Sequence, residues 1–379
     1  MITPQSLSTF CRRALGSPRR RAVLGLLALV AALAGLWGFD RGRTGWPTKA
    51  VLRSPGNTLP LAFSPDSRTF ATWGADGVTL WDAATGRKRA TCGGFQGQAD
   101  AGGAFSPDGR TFAVAHATHP GPFTIDLIDL DTGQVKSSLT TRFTCVYDLA
   151  FADAGRSLRA FLGDVPNNLK VAETWDAATG RPTSSRPLTC PTASCDTEIS
   201  PDGRLLALAP RSGAVIRIWD LVADRELARL ANRSTGVKYG RGLAFSGDAR
   251  TLAVSREDGS FEIWDLPNRR LRTAFRGHTE DYTSYGIRLA PDGRTLASRG
   301  EFLGASSFPG ALRCAVLQVR FGSRWRPDPE VIVSDIGTGR RLARAASANF
   351  PLYSPDGATI ATFESDFNVR LRSSPARPR

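Results

Sequence analysis

Between residues 48 and 372 the chain is written in short apolar runs separated by turn residues. The runs are rich in Val, Ile, Leu, Phe and Trp and are bounded by Gly, Pro, Asp and Asn, a pattern that predicts strands rather than helices. LPLAF at Leu59–Phe63 leads into the turn SPDSR, and TFATWG follows at Thr69–Gly74. A third run ends in Leu80-Trp81-Asp82, and after the turn AATG comes a fourth. Pro presets φ in such turns, Asp caps its own backbone, and Gly takes the left-handed position that closes a hairpin. Each unit is therefore predicted to be four antiparallel strands.

The unit repeats. The phrase reads FSPDSR from Phe63, FSPDGR from Phe105, FADAGR from Phe151, ISPDGR from Ile199, FSGDAR from Phe245, LAPDGR from Leu289 and YSPDGA from Tyr353. Successive starts lie 42, 46, 48, 46, 44 and 64 residues apart. A period in the forties over seven copies marks an array of supersecondary units. One four-stranded sheet cannot bury both faces, but seven packed radially can. Four units end their third strand in Trp-Asp: Trp81-Asp82, Trp175-Asp176, Trp219-Asp220 and Trp264-Asp265.

Through this period, the SPDG phrase and the Trp-Asp ends, the chain resembles the WD40-repeat β-propeller family, in its divergent bacterial form. The resemblance implies an all-β, seven-bladed β-propeller of four-stranded antiparallel blades. Trp-Asp becomes Ile128-Asp129 in the second unit and Ser334-Asp335 in the sixth, and is absent from the seventh. The family's Gly-His pair occurs once, at Gly277-His278. Its buried Asp–His–Ser/Thr–Trp network is therefore expected to be incomplete in every blade. The seventh unit stops before a fourth strand, while a spare strand, KAVLR at Lys49–Arg53, precedes the first. Pairing of that strand with the one near Asn368–Arg372 is expected to close the ring and remove an open edge.

Ahead of the repeats lies a different composition. Residues 1–21 carry five Arg and no acid, and Ala22–Phe39 is 18 residues without charge. That length reaches the short end of a membrane-spanning helix, with Trp37 and Phe39 at its interfacial end. The expected organisation is a basic tail over 1–21, one N-terminal transmembrane helix over 22–39, a linker over 40–47, the propeller over 48–373, and a disordered tail over 374–379. The basic tail would stay cytoplasmic and the propeller would be exported. The alternative is a cleaved signal sequence with a small-x-small site ending at Ala34, giving a secreted protein.

Charge adds little to this picture. The chain has 49 Lys and Arg against 35 Asp and Glu, and the excess is scattered, so no nucleic-acid stripe is expected. Cys190 and Cys195 share one inter-blade loop and can form a local disulfide in an oxidising compartment. No nucleophile elbow, phosphate loop or zinc-helix motif is present. His116 and His119 fall in a segment read as a loop, without a third ligand nearby, so neither metal nor cofactor is expected. The repeated Asp residues read as turn caps rather than acids or calcium ligands.

The irregular connections carry the functional expectation. The longest is an insertion over about 300–330 in the sixth blade, holding Phe308, Arg313, Arg320, Phe321, Arg324, Trp325 and Arg326. Arg and Trp are favoured interface anchors, and binding residues concentrate on scaffold loops. The reading is a non-enzymatic, membrane-tethered, monomeric scaffold that presents its loop-rich face to an unidentified protein partner. The alternative is an exported propeller enzyme or small-ligand binder that uses the central channel.

Overall fold

The computed structural model describes residues 46–53, 58–92, 98–117, 123–164, 169–188, 195–210, 215–231, 242–256, 258–278, 282–302 and 329–375. Residues 1–45 form a separate unit that lies outside this set. Residues 22–39, expected to cross a membrane, are among them; among the described residues no helix is long and apolar enough to do so.

Seven four-stranded antiparallel sheets account for the rest. Strand β1 (Thr48–Leu52) precedes the first blade, which is β2 (Leu59–Phe63), β3 (Thr69–Gly74), β4 (Gly77–Asp82) and β5 (Lys88–Cys92). The second blade is β6 (Gln98–Phe105), β7 (Thr111–Ala117), β8 (Phe123–Asp129) and β9 (Val135–Thr140). The third is β10 (Cys145–Ala152), β11 (Ser157–Asp164), β12 (Leu169–Asp176) and β13 (Pro182–Pro187). The fourth is β14 (Cys195–Ile199), β15 (Leu205–Pro210), β16 (Val215–Asp220) and β17 (Arg225–Ala231). The fifth is β18 (Leu243–Phe245), β19 (Thr251–Ser255), β20 (Ser260–Asp265) and β21 (Arg270–Arg276). The sixth is β22 (Tyr282–Leu289), β23 (Thr295–Phe302), β24 (Glu330–Asp335) and β25 (Arg341–Ala346). The seventh contributes β26 (Ala348–Tyr353), β27 (Thr359–Glu364) and β28 (Val369–Ser373).

The first strands β2, β6, β10, β14, β18, β22 and β26 touch in chain order, and β26 returns to β2, so the ring is closed around a channel. Its fourth outer strand in the last blade is β1, paired antiparallel with β28 from Thr48↔Arg372 to Leu52↔Val369. The core lies between blades. Phe70, Phe112, Leu158, Leu206, Leu252, Leu296 and Ile360 occupy one position in each second strand and are wholly buried.

The turns explain why the phrase recurs. In the second blade Ser106 Oγ donates to Asp108 Oδ1 at 2.5 Å and accepts from the Thr111 amide at 2.9 Å. Asp108 also accepts from the Arg110 amide at 3.0 Å. The same set recurs at Ser64/Asp66, Ser200/Asp202, Ser246/Asp248 and Ser354/Asp356. The Ser hydroxyl, followed by the backbone amide, holds the Asp66 and Asp108 carboxyls below their ordinary range. In the third blade, ADAG has no Ser. There the chain makes a 3-10 turn with Asp153 and Ala154 at φ 52 and 57, and Asp153 pairs with the buried Arg159 at 3.0 Å instead.

A second set caps the hairpins between third and fourth strands. Asp82 Oδ1 accepts from the Thr85 amide and hydroxyl, both at 2.8 Å, and Asp129, Asp176 and Asp335 repeat the arrangement. All these Asp residues are turn caps.

The Trp position shows where the repeat departs from itself. Trp81 Nε1 donates to Thr72 Oγ1 at 2.8 Å inside the first blade. Register places Val114, Ala160, Leu208 and Val254 at the hydroxyl site in blades two to five, so Trp175, Trp219 and Trp264 lose that acceptor. Trp264 turns to Glu262 at 3.2 Å. In the seventh blade Arg372 pairs with Ile360 and so stands where Trp would be. Its Nε donates to Thr362 Oγ1 at 3.3 Å, Nη1 to the Trp46 carbonyl at 2.5 Å, and Nη2 to Glu364. The Arg372 guanidinium lies 5.5 Å from the Trp46 ring, and Trp46 Nε1 donates to the Ser373 carbonyl at 2.7 Å. Trp46 fills an apolar pocket with Val331, Val333 and Ile360 between the last two blades.

Candidate interaction surface

Strand direction sorts the connections onto two faces. Turns from first to second and from third to fourth strand open on one, the turn face. Connections from second to third strand, and from each fourth strand to the next blade, open on the other, the loop face. The sixth-blade insertion, between second and third strands, leaves from the loop face.

The strands bound the sixth-blade insertion more tightly than the sequence did. Gly300, Glu301, Phe302 and Glu330 are strand residues, so the connection is 303–329. Phe308, Arg313, Arg320, Phe321, Arg324, Trp325 and Arg326 lie outside the described residues, as do His119 and Cys190. Cys195 opens β14, buried and disulfide-bonded.

His116 corrects the sequence reading. It is not in a loop but in β7, buried, with Nε2 2.7 Å from Asp126 Oδ2 and its ring stacked 6.0 Å from Trp73. Alternation explains this: in TFAVAHA the residue after Ala115 still belongs to the strand, and Asp126 on β8 supplies the polar partner. Among the described residues no group of three His, Cys, Asp or Glu side chains is placed to hold a metal ion.

The sixth blade carries a buried polar chain at the root of the insertion. His278 Nδ1 donates to Glu330 Oε1 at 3.3 Å, and His278 Nε2 lies 2.9 Å from Ser298 Oγ. Glu330 Oε2 accepts from Arg344 Nε at 2.6 Å. Burial alone would raise the Glu330 carboxyl, but the His278 hydrogen bond and the Arg344 charge overcome it and hold it at about 2. Gly300 is required here, since a Cβ on it would lie 2.5 Å from His278 Nδ1. This is the His–Ser part of the expected network. Glu330 supplies the carboxylate, and Ser334 stands where Trp would be.

Next to it, on the loop face of the seventh blade, two aromatic side chains face solvent. Phe350 is 47% and Phe367 57% exposed. Both flank Phe363, with ring centroids 6.4 and 6.3 Å away. The Arg299 guanidinium lies 5.4 Å from the Phe350 ring. Both Phe residues have left-handed backbone, φ 46 and 60, which is rare for a bulky residue. Such strain costs about 1–3 kcal/mol and gathers at binding and switch sites. Asn349 Oδ1, beside Phe350, is buried without a hydrogen-bond partner. The patch is not legible in the sequence, where Phe350 stands in the run NFPLY and Phe367 in the turn before β28.

The channel offers less chemistry. Glu198 on β14 reaches Arg288 on β22, two blades on, at 3.7 Å. Asp148 on β10 accepts from the Ile199 amide at 2.7 Å. A shallow cleft between blades three and four includes Glu173, which accepts from Ser185 at 2.9 Å, and Arg186, which covers the Trp219 ring at 5.0 Å.

Comparisons with known proteins agree with this architecture. No protein-family model matches the chain. Transducin-like enhancer protein 2 of Mus musculus is 31% identical over 97 residues, 24% of this chain and 12% of that protein. Protein groucho of Drosophila melanogaster is 30% identical over 103 residues, 27% of this chain and 14% of that protein. The matched region thus spans only about an eighth of the length of these relatives. The crystal structure of the Myceliophteria thermophila Cps50 (Swd1) β-propeller domain superposes with a TM-score of 0.63 at 15% identity, covering 86% of this chain and 99% of that one. The chain is thus a seven-bladed β-propeller of four-stranded antiparallel blades.

Proposed function

We propose that the protein is a non-enzymatic interaction scaffold that presents its loop face to a protein partner. The observation that carries this reading is the exposed, backbone-strained pair Phe350 and Phe367, beside the root of the sixth-blade insertion. An apolar patch of this kind on a soluble surface marks a contact site. The proposal takes Phe308, Arg313, Arg320, Phe321, Arg324, Trp325 and Arg326 of the 303–329 connection as further partner-binding residues. The resemblance to WD40-repeat propellers supports binding as the general task, although likeness of fold is an associational warrant.

The scaffold is tethered or exported through residues 22–39, with a propeller of the divergent bacterial kind. The chain enters the ring at Trp46 on the turn face, because β1 runs from that face toward the loops. Signal cleavage after Ala34 would give a secreted form with the same surface. A Cys190–Cys195 disulfide would fit this exported reading.

Pull-down with intact protein, with the 303–329 connection shortened, and with F350S/F367S tests the proposal. Partners are expected to be lost in both variants; identical partner sets in all three would remove the loop face from the account. Protease accessibility of the propeller in intact cells tests export, and protection on the cytoplasmic side of the membrane would refute it.

A further inference from the structure

The third blade departs from the other six along one seam, where it meets the fourth. The residue after the buried second-strand position is a wholly buried alanine in six blades, Ala71, Ala113, Ala207, Ala253, Ala297 and Ala361. The third blade has Arg159 there. On the third strand each of those alanines pairs with a buried branched residue: Leu80, Leu127, Ile218, Ile263, Val333 or Leu371. Arg159 pairs with Thr174, which is partly exposed. Two residues earlier the others place Val, Ile or Phe, as at Val78 and Ile216, and the third blade places Ala172.

These positions face the next blade. In the first blade Ala71, Val78 and Leu80 pack with Phe105 and Phe112 of the second. At the third seam the corresponding aliphatic groups are missing, and the shallow cleft opens there. Phe161, Ile199, Leu206 and Leu221 form its apolar floor, and Thr174 and Ser184, opposite each other in register, stand at its mouth. Among the described residues neither hydroxyl has a hydrogen-bond partner. Val222, beside Leu221, is 56% exposed and extends the apolar rim. Charge in the cleft is already matched. Arg159 donates to the Gly203 carbonyl at 2.7 Å and pairs with Asp153 at 3.0 Å, and Arg186 pairs with Asp224. Glu173 alternates onto the other face of the sheet, where it accepts from Ser185. The occupant that complements this charge distribution is uncharged.

We propose that this seam is a docking site for an extended segment of a partner protein, anchored by one leucine. The partner would supply the branched aliphatic group that the other six blades supply themselves, and leucine stands at three of those six positions, Leu80, Leu127 and Leu371. Its side chain would rest on Phe161 and Leu206 and recover the contacts that the open space withholds from them. Its main-chain amides would hydrogen-bond to the Thr174 and Ser184 hydroxyls and fix the direction of the segment. The cleft is shallow, so it takes one side chain rather than a whole small molecule. It lies on the circumference, toward the turn face, so the inference goes beyond the loop-face reading.

The test is saturation-transfer NMR of the full chain with the N-acetyl amides of leucine, alanine, glutamate and lysine as probes. The leucine amide is expected to bind at least about ten-fold tighter than the alanine amide, with its methyl groups most strongly saturated. T174I/A172V fills the cleft with the kind of residue the other blades carry. It should keep or raise the melting temperature and weaken the leucine probe by about ten-fold or more. Val135→Ser, at an exposed apolar residue of β9, should leave binding unchanged. Where T174I/A172V melts below the native chain, Ala172→Val alone decides, with the same weakening expected. Equal binding of the leucine and alanine amides, preference for the glutamate or lysine amide, or native binding by the filled variants would overturn the proposal. Such a failure would remove this seam and leave the loop face to be judged by its own pull-down.

Discussion

The turn face and the loop face of this propeller are built from different kinds of sequence. On the turn face, Ser–Asp pairs recur at five of seven first hairpins with the same three hydrogen bonds, as at Ser106, Asp108 and Thr111. On the loop face the connections vary from two residues in the first blade to the 27 of 303–329 in the sixth, and two Phe residues of the seventh blade are held at left-handed φ. Repetition marks what every blade needs in order to fold. Departure marks what one blade does alone. The sixth and seventh blades depart most: there Glu330 replaces the usual carboxylate, Arg372 takes a Trp position, and Trp46 is borrowed from before the ring.

The largest predicted effect breaks the borrowed closure. A chain starting near residue 58 loses Trp46 and β1, leaving the β28 edge open and Arg372 without the Trp46 carbonyl. Trp46→Ala alone should cost roughly 3–5 kcal/mol, and the truncation more. Thermal unfolding checks both; an unchanged melting temperature in the truncation would contradict the closure.

Next comes the polar chain of the sixth blade. Glu330→Ala leaves His278 and Arg344 without their carboxylate in a buried site, and a loss of roughly 3 kcal/mol is expected. The group also predicts a pH dependence. Its carboxyl titrates lower in the folded protein, about 2, than its ordinary value of 4.5. The stability it adds is therefore complete above pH 4.5 and is lost as pH falls toward 2. Denaturation midpoints between those limits should fall more steeply in the native chain than in Glu330→Gln; parallel slopes would refute the assignment.

Smaller effects probe the turn face. Asp108→Ala removes a cap and should cost about 1 kcal/mol, whereas Asp292→Ala should cost less, since Ala290 leaves that turn without its Ser partner. Ala249 sits at φ 55 where other blades place Gly. Ala249→Gly should therefore raise stability by about 0.5–1 kcal/mol, and a loss would show that the Ala side chain packs more usefully than its backbone is strained.

Much of this fold was legible in the sequence because repetition makes weak signals add. FSGDAR would say little by itself, but in register with six others it fixes a hairpin. The borrowed strand was legible too, as a surplus before the first unit matched a deficit after the last. His116 was misplaced because a polar residue ending an apolar run reads as a loop until its buried Asp126 appears. Phe350 and Phe367 were missed for another reason: one stands in a strand and the other in a turn, and neither setting announces the positive φ and the exposure of their rings.

The division of labour between the faces is tested most directly by measuring melting temperature and partner affinity together in Asp108→Ala and in F350S/F367S. The account predicts that Asp108→Ala lowers the melting temperature and leaves affinity unchanged, while F350S/F367S keeps the melting temperature and loses the partner. If F350S/F367S unfolds the ring and Asp108→Ala weakens binding at full stability, the two faces do not divide the work in this way.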